Sequence, residues 1–298
     1  MSSQIDTALV ASYKNNITLR YQQMGSRLKP YVRVEMQNAE FDYYDRIGAT
    51  SAVQKTTRAS DTPLIDTPHD RRRLAMVDFE WADLIDRPDK LRMLADPTSA
   101  YVENAAMALG RSVDDQIISA ASGTAYSGKT GGTAVSFLAG QQIAVNYVES
   151  GAPSDSNLTV AKLRRVKYLL DKNEATKAGE MIVGVFTSSQ QSSLLRDSTL
   201  TSHDYNTVKA LVAGEVDTFM GIKFVRTERL SLAAATNIRT CLFWAQNAML
   251  LAEAQEIKVR VDERSDKSYS TQVYACGTFG ASRMEELGVI EVACDEDL

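Results

Sequence analysis

Tyr31 to Trp81 reads YVRVEMQNAEFDYYDRIGATSAVQKTTRASDTPLIDTPHDRRRLAMVDFEW, and this stretch decides the fold. Val32, Val34 and Met36 alternate with Arg33, Glu35 and Gln37. Phe41 and Tyr43 alternate with Glu40 and Asp42, and Val77, Phe79 and Trp81 with Asp78 and Glu80. A period of two is the mark of a strand with one covered face. Between the alternating runs, Gly48 to Arg73 is polar and carries Pro63 and Pro68. The simplest geometry is a long β-hairpin with a charged tip. Arms of about 10–15 residues at about 3.3 Å each would reach roughly 35–50 Å. A lone two-stranded ribbon is marginal in water, so a neighbouring subunit is the expected cover.

On the N-terminal side, Ile5, Leu9, Tyr13, Ile17 and Tyr21 recur every fourth residue, and Gly25 follows. That spacing predicts one helical stripe that docks on something, with Gly25 as its stop. On the C-terminal side, Asp96-Pro97 is a helix start, a capping carboxylate followed by proline at the first helical position. Tyr101, Ala105, Leu109, Val113 and Ile117 continue at helical spacing to Gly123. The spacing predicts a helix over 97–122, a rod of about 39 Å that serves as a structural spine.

Composition bounds the chemistry. In 298 residues, 44% are hydrophobic and 24% charged, values of a folded globular chain, and the length suits about two domains. No apolar run reaches the roughly 18 residues of a membrane helix. The N-terminus lacks the basic and apolar regions of a signal peptide, so a soluble intracellular protein is expected. Cys241, Cys276 and Cys294 are scattered, and His69 and His203 are the only histidines. This argues against a disulfide framework, a zinc site and most catalytic triads. The net charge of −5 disfavours non-specific nucleic-acid binding by the whole molecule. Charge is nevertheless polarised. Lys14, Arg20, Arg27, Lys29 and Arg33 face Asp6 alone in the first 33 residues, whereas Glu285, Glu286, Glu291, Asp295, Glu296 and Asp297 face Arg283 alone at the other end. The two ends are either partners or simply solvated termini.

Gly123, Gly128, Lys129 and Thr130 satisfy the phosphate-loop pattern G-x-x-x-x-G-K-[ST]. That chemistry needs a strand before the loop and a helix after it. Here the spine helix precedes and the strand-like TAVSFLA follows, so a flexible Gly/Ser/Lys loop is expected. Thr159 opens an amphipathic helix with Val160, Leu163, Val166 and Leu170 inward and Lys162, Arg164, Arg165 and Lys167 outward. Interleaved aromatics are missing, which favours a solvated face over a nucleic-acid patch. A buried strand, MIVGVF, follows, then helices around Ser188–Leu195 and Asn206–Leu211. Beyond Leu250, IKVRV, YSTQVYA and GVIEV read as antiparallel strands with turns at Asp266 and Gly288.

This order of parts resembles the major capsid proteins of tailed bacteriophages over nearly the full length. The arm, the hairpin, the spine and the unit VAKLRRVKYLL–MIVGVF follow in the family's order. The most specific segments are GEVDTFMGIKFVRTERL and KVRVDERSDKSYSTQVYACGTFGASRMEELGVIEV, the latter with a Gly-Ala-x-Arg element before the last strand. The resemblance implies an α+β chain of the tailed-phage major capsid fold. Its parts would be an N-terminal arm over 1–30, an extended loop over 31–90, a peripheral domain over 91–149 and 250–298, and an axial domain over 150–249.

The implied function is structural: hexamers and pentamers closing into an icosahedral shell around double-stranded DNA, with no catalytic residues, cofactor, metal or membrane. Implied partners are further copies, a separate scaffolding protein, a portal and the packaged DNA, held non-specifically. Candidate inter-subunit contacts are Arg20, Arg27, Lys29 and Arg33 on the arm, Lys55, Arg71, Arg72 and Arg73 on the loop, and Glu285 and Glu286 in the closing segment. Some relatives cross-link through a loop lysine; Lys55 is the loop's candidate, but no residue pattern identifies a partner, and that chemistry is not carried over. An encapsulin-like protein compartment is the nearest alternative, and a phosphate-loop enzyme a remote one.

Overall fold

The computed structural model describes residues 22–59, 61–86, 98–177, 179–196 and 218–297. The helical stripe from Ile5 to Tyr21, the Asp96-Pro97 cap, the helix at Asn206–Leu211, Arg20 and His203 lie outside the described residues. The chain divides into two compact units, Met1–Ser26 with Asp78–Ser112 and Gln255–Thr278, and Arg27–Val77 with Val113–Ala254 and Phe279–Leu298.

The spine is present: α1 spans Thr98–Ser122, about 38 Å at 1.5 Å per residue, and its residues up to Ser112 belong to the first unit. It lies on strands β4 (Val77–Ile85), β13 (Met249–Arg264) and β14 (Ser270–Arg283), part of a sheet ordered β1-β13-β14-β4 with β1 at Arg33–Met36. Ala105, Leu109 and Ala275 form its buried core, with Phe79, Trp81 and Val259 packed against them. The pleat turns the alternate residues the other way. There the Tyr274 hydroxyl donates to Glu80 at 2.9 Å and the Thr278 hydroxyl to Asp78 at 2.6 Å. Residues 22–26 run along α1. A Cβ at Gly110 would come within 2.7 Å of the Gly25 backbone, so only glycine permits that approach.

The second unit holds a seven-stranded sheet. Its order is β7 (Gln142–Ile143), β15 (Val289–Asp295), β12 (Ile238–Ala245), β8 (Ile182–Phe186), β10 (Ile222–Arg226) and β9 (Thr218–Phe219), with β11 (Leu232–Ala233) on β12. β8 is buried at every position, as a central strand covered on both faces requires. Phe224 meets Phe186 and Phe243 edge to face, with ring centroids 5.1 and 6.5 Å apart. Helix α2 (Val160–Lys172) is capped by the Thr159 side chain, which accepts from the Lys162 backbone, and buries Val160, Leu163, Val166 and Leu170. Helix α3 (Ser188–Arg196) follows β8.

Lys162 departs from the expected outward face. It is fully buried, and its Nζ donates to the carbonyls of Ser156 at 2.7 Å and Ala293 at 2.9 Å. The helix turns it inward because a carbonyl of β15 waits there, a partner that lies 131 residues away.

A third sheet, in the same unit, is ordered β2 (Phe41–Ile47), β3 (His69–Ala75), β5 (Ala125–Ser127) and β6 (Thr133–Val135). The hairpin is therefore real, but its strands differ from the sequence reading. β2 pairs antiparallel with β3, from Phe41↔Ala75 to Ile47↔His69. The returning arm is HDRRRLA, which the sequence reading assigned to the polar tip. The Val77–Trp81 run instead forms β4 beside β14, and β1 runs parallel to β13. Arms of seven residues reach about 23 Å, shorter than expected. An arginine-rich strand holds because each of Arg71, Arg72 and Arg73 meets an acid or an aromatic ring.

Candidate assembly surfaces

The tip of the hairpin leaves its apolar side chains in solvent. Leu64 is 98% exposed and Val53 60%. Lys55 stands here, also exposed. A folded monomer rarely presents such residues on an extended segment without a partner for them. The tip starts and ends cleanly, because the Gly48 amide donates to the Pro68 carbonyl at 2.9 Å.

Below the tip, the hairpin has two unlike faces. On the outer one the Arg73 guanidinium lies 4.0 Å from the Phe41 ring centroid, and Arg71 lies 5.7 Å from that of Tyr43. Arg71 also holds Asp45 at 2.6 Å, and the Arg71 bond keeps the Asp45 carboxyl below its usual range. On the inner face, Leu74, Leu250, Ala252 and Met284 form a buried cluster with Tyr44 and Met76 against it. Arg72 points the same way and is fully buried.

Arg72 donates to Glu286, which also accepts from Arg46 at 3.2 Å. Arg46 in turn holds Asp70, and Glu285 lies 3.7 Å away. Burial works against the charge of Glu286, but Arg72 and Arg46 outweigh it and leave the carboxyl below its ordinary value. The basic loop and the acidic closing segment thus meet within one chain. Arg46 escaped the sequence reading because a single arginine in an alternating strand carries no signal of a partner 240 residues on.

The arm residues find nearby partners. Arg27 gives its backbone amide to Asp114 at 3.0 Å and its guanidinium to the Arg226 carbonyl at 2.8 Å. Lys29 pairs with Glu253 at 2.8 Å, and Arg33 with Glu35. None of these partners belongs to the acidic closing segment. Arg27, Lys29, Arg33, Lys55, Arg71 and Glu285 remain solvent-accessible.

The GKT loop has no phosphate-binding geometry. Residues 128–132 join β5 to β6, which pair antiparallel from Ala125↔Val135 to Ser127↔Thr133. Gly128 and Gly131 take positive φ, +91° and +66°, to make the turn. A strand follows where a phosphate site needs a helix N-terminus. Among the described residues no group of three or more His, Cys, Asp or Glu is placed to hold a metal ion.

The sequence matches the model of a family described as phage capsid protein over residues 5–296. No curated protein matches it. Several solved structures share its fold. A capsid of Ralstonia phage GP4 is 10% identical with a TM-score of 0.74, covering 96% of this chain and 95% of that one. The head of Helicobacter pylori bacteriophage KHP40 is 11% identical with a TM-score of 0.74, covering 99% and 98%. A chain of Mycobacterium phage Che8 is 16% identical with a TM-score of 0.67, covering 95% and 97%. At these identities the likeness is one of fold.

Proposed function

This chain belongs to the phage capsid protein family, and from that premise we propose how its parts build a shell. It is a major capsid protein, a structural component of the virion. Identical copies form rings of five and six that close into an icosahedral shell around double-stranded DNA. The hairpin and its tip serve as the extended loop, laid over a neighbouring subunit. Residues 150–249 serve as the axial domain, and the spine with the strands after about 250 as the peripheral domain. Arg27, Lys29, Arg33, Lys55, Arg71 and Glu285 are exposed charges available to neighbours. A scaffolding protein and a portal complete the assembly, and we assign the chain no catalytic step.

The observation that carries this reading is the family match from residue 5 to residue 296. An exposed apolar tip on a hairpin is consistent with a fold completed by its neighbours. Expression with a scaffolding protein, followed by sedimentation and electron microscopy, tests it. Closed shells of five- and six-membered rings are expected. A protein that stays monomeric under all such conditions would overturn the reading.

A further inference from the structure

Among the described residues, the sheet ordered β1-β13-β14-β4 ends in two open edges. At one end stands β4, the last strand in the order β1-β13-β14-β4. At the other end β1 covers β13 only from Leu250 to Glu253, while β13 runs on to Arg264. Among the described residues no strand pairs with that remaining edge. A row of unpaired backbone donors and acceptors is a template for another strand.

The side chains differ sharply between the two edges. Lys258 and Arg260 stand on one face of β13, and with Asp262, Gln272, Tyr274 and Cys276 they line a shallow trough. Asp78 and Glu80 stand on the same face of β4, held there by Thr278 and Tyr274. At one margin two neighbouring cations, Lys258 and Arg260, are followed by Asp262; at the other stand two acids. On the opposite face, Val259 packs with Phe79 and Trp81 around α1. The pleat puts Ile257 and Val261 on that face too, and they are 37% and 42% exposed.

We propose that β4 of one copy adds to the open edge of β13 in the next, so that a single sheet continues from subunit to subunit. This rests on the capsid reading and names one of its contacts. Ser270 bonds Asp86, Tyr274 bonds Glu80 and Thr278 bonds Asp78, so β4 runs antiparallel to β14. The short 3-10 turn at Ser265–Lys267 makes β14 antiparallel to β13. A head-to-tail repeat of the sheet therefore lays the incoming β4 parallel to β13. One register sets Asp78 beside Lys258 and Glu80 beside Arg260. The same register sets Phe79 beside Val259 and Trp81 beside Val261, which covers an exposed valine. Pairing β4 with β4 would bring the Asp78 and Glu80 columns of two copies together, which is unfavourable. Charge thus favours the head-to-tail contact, the kind that generates rings.

Cysteine cross-linking in assembled particles tests this. In the full chain carrying Cys276→Ser, Glu80→Cys and Arg260→Cys are introduced singly and together, and the particles are oxidised. The double variant is expected to give a covalent ladder running beyond the dimer, and the single variants none. A second set uses charge. Lys258→Glu with Arg260→Glu, or Asp78→Lys with Glu80→Lys, should each lower shell yield at least about tenfold, about 1.4 kcal/mol. All four changes together should restore it. If wild-type particles form but the double variant gives no ladder, or only dimers, the edge pairing is overturned and the capsid reading stands. Unchanged yield from either charge pair overturns it as well. If the wild type forms no shells, the capsid reading itself fails and the contact with it.

Discussion

Arg72 and Glu286 are 214 residues apart in sequence, yet they form an ion pair in which the arginine side chain is wholly buried and the glutamate 13% exposed. The pair ties the returning arm of the hairpin to the turn before the last strand. Its energetic character follows from burial. Two charges removed from water recover their hydration only through each other, and here Arg46 adds a second cation to the same carboxylate. Replacing such a pair with apolar residues can be neutral, but removing one partner strands the other.

Glu286→Gln should therefore destabilise the folded subunit by about 3–5 kcal/mol, because the Arg72 guanidinium stays buried without a counter-charge. Urea unfolding of the unassembled subunit measures this. A loss under about 1 kcal/mol would place the pair among the weak surface ion pairs and contradict its burial.

The same carboxylate sets an acid limit. Arg72 and Arg46 hold Glu286 below its usual pKa against the effect of burial. A group whose pKa is depressed on folding contributes fully above its unfolded value, about 4.3, and loses that contribution as pH falls through the folded value. Wild-type stability should drop below about pH 4.3 more steeply than that of Glu286→Gln. Parallel acid titrations would dismiss the assignment.

How much of this was legible in the sequence depended on how local each signal was. The α2 stripe of Leu163, Val166 and Leu170, capped by Thr159, can be read from a dozen residues, and so can the spacing of α1. β3 could not be read, because HDRRRLA is a strand only where Glu286, Asp45 and the Phe41 ring supply what its arginines need. Lys162 misleads for the same reason: its acceptors are carbonyls of Ser156 and Ala293, and carbonyls leave no trace in composition. The polarised charge of the two ends was visible, but not its pairing. Lys29 goes to Glu253, while the closing segment takes the hairpin's arginines.

Lys162 supplies a test at the opposite end of the pH range. Burial disfavours its ammonium and lowers its pKa. The unfolded chain binds that proton more tightly than the folded one, so stability should rise with pH between the lowered folded value and about 10.4. Lys162→Met should remove this rise. Chemical denaturation at a series of alkaline pH values reads it, and an equal rise in both proteins would reject the account.

Gly184 sits in the centre of β8, and a Cβ there would come within 2.6 Å of the Phe243 ring. Phe224 and Phe243 stand opposite Gly184 on the two flanking strands and meet edge to face at 6.5 Å, so an added methyl enters a packed aromatic cluster. Gly184→Ala should cost about 1–3 kcal/mol through overpacking. The gain usual for Gly→Ala at an unstrained position would show that the aromatic cluster yields.

The hairpin tip separates folding from assembly. Residues 52–66 are the part to remove, because the cut must stop before His69, where β3 begins. A longer deletion reaching Arg72 would take out the buried ion pair and unfold the subunit for a reason unrelated to assembly. The Gly48–Pro68 hydrogen bond already brings the two ends together, so a short turn can close the gap with little strain. Loop-closure entropy changes slowly with length, about 0.6 kcal/mol per doubling, so shortening the loop adds no large term. Leu64 is 98% exposed and Val53 60%, so their removal costs little buried area. The shortened chain should keep its thermal midpoint within a few degrees, since about 1 kcal/mol moves the midpoint of a domain by about 2–4 °C. It should nevertheless form no closed shells if, as proposed, the exposed apolar residues are the surface that a neighbour covers. Shells at wild-type yield from this deletion would show that the tip is dispensable. A collapse in thermal stability would show that it serves the subunit's own fold.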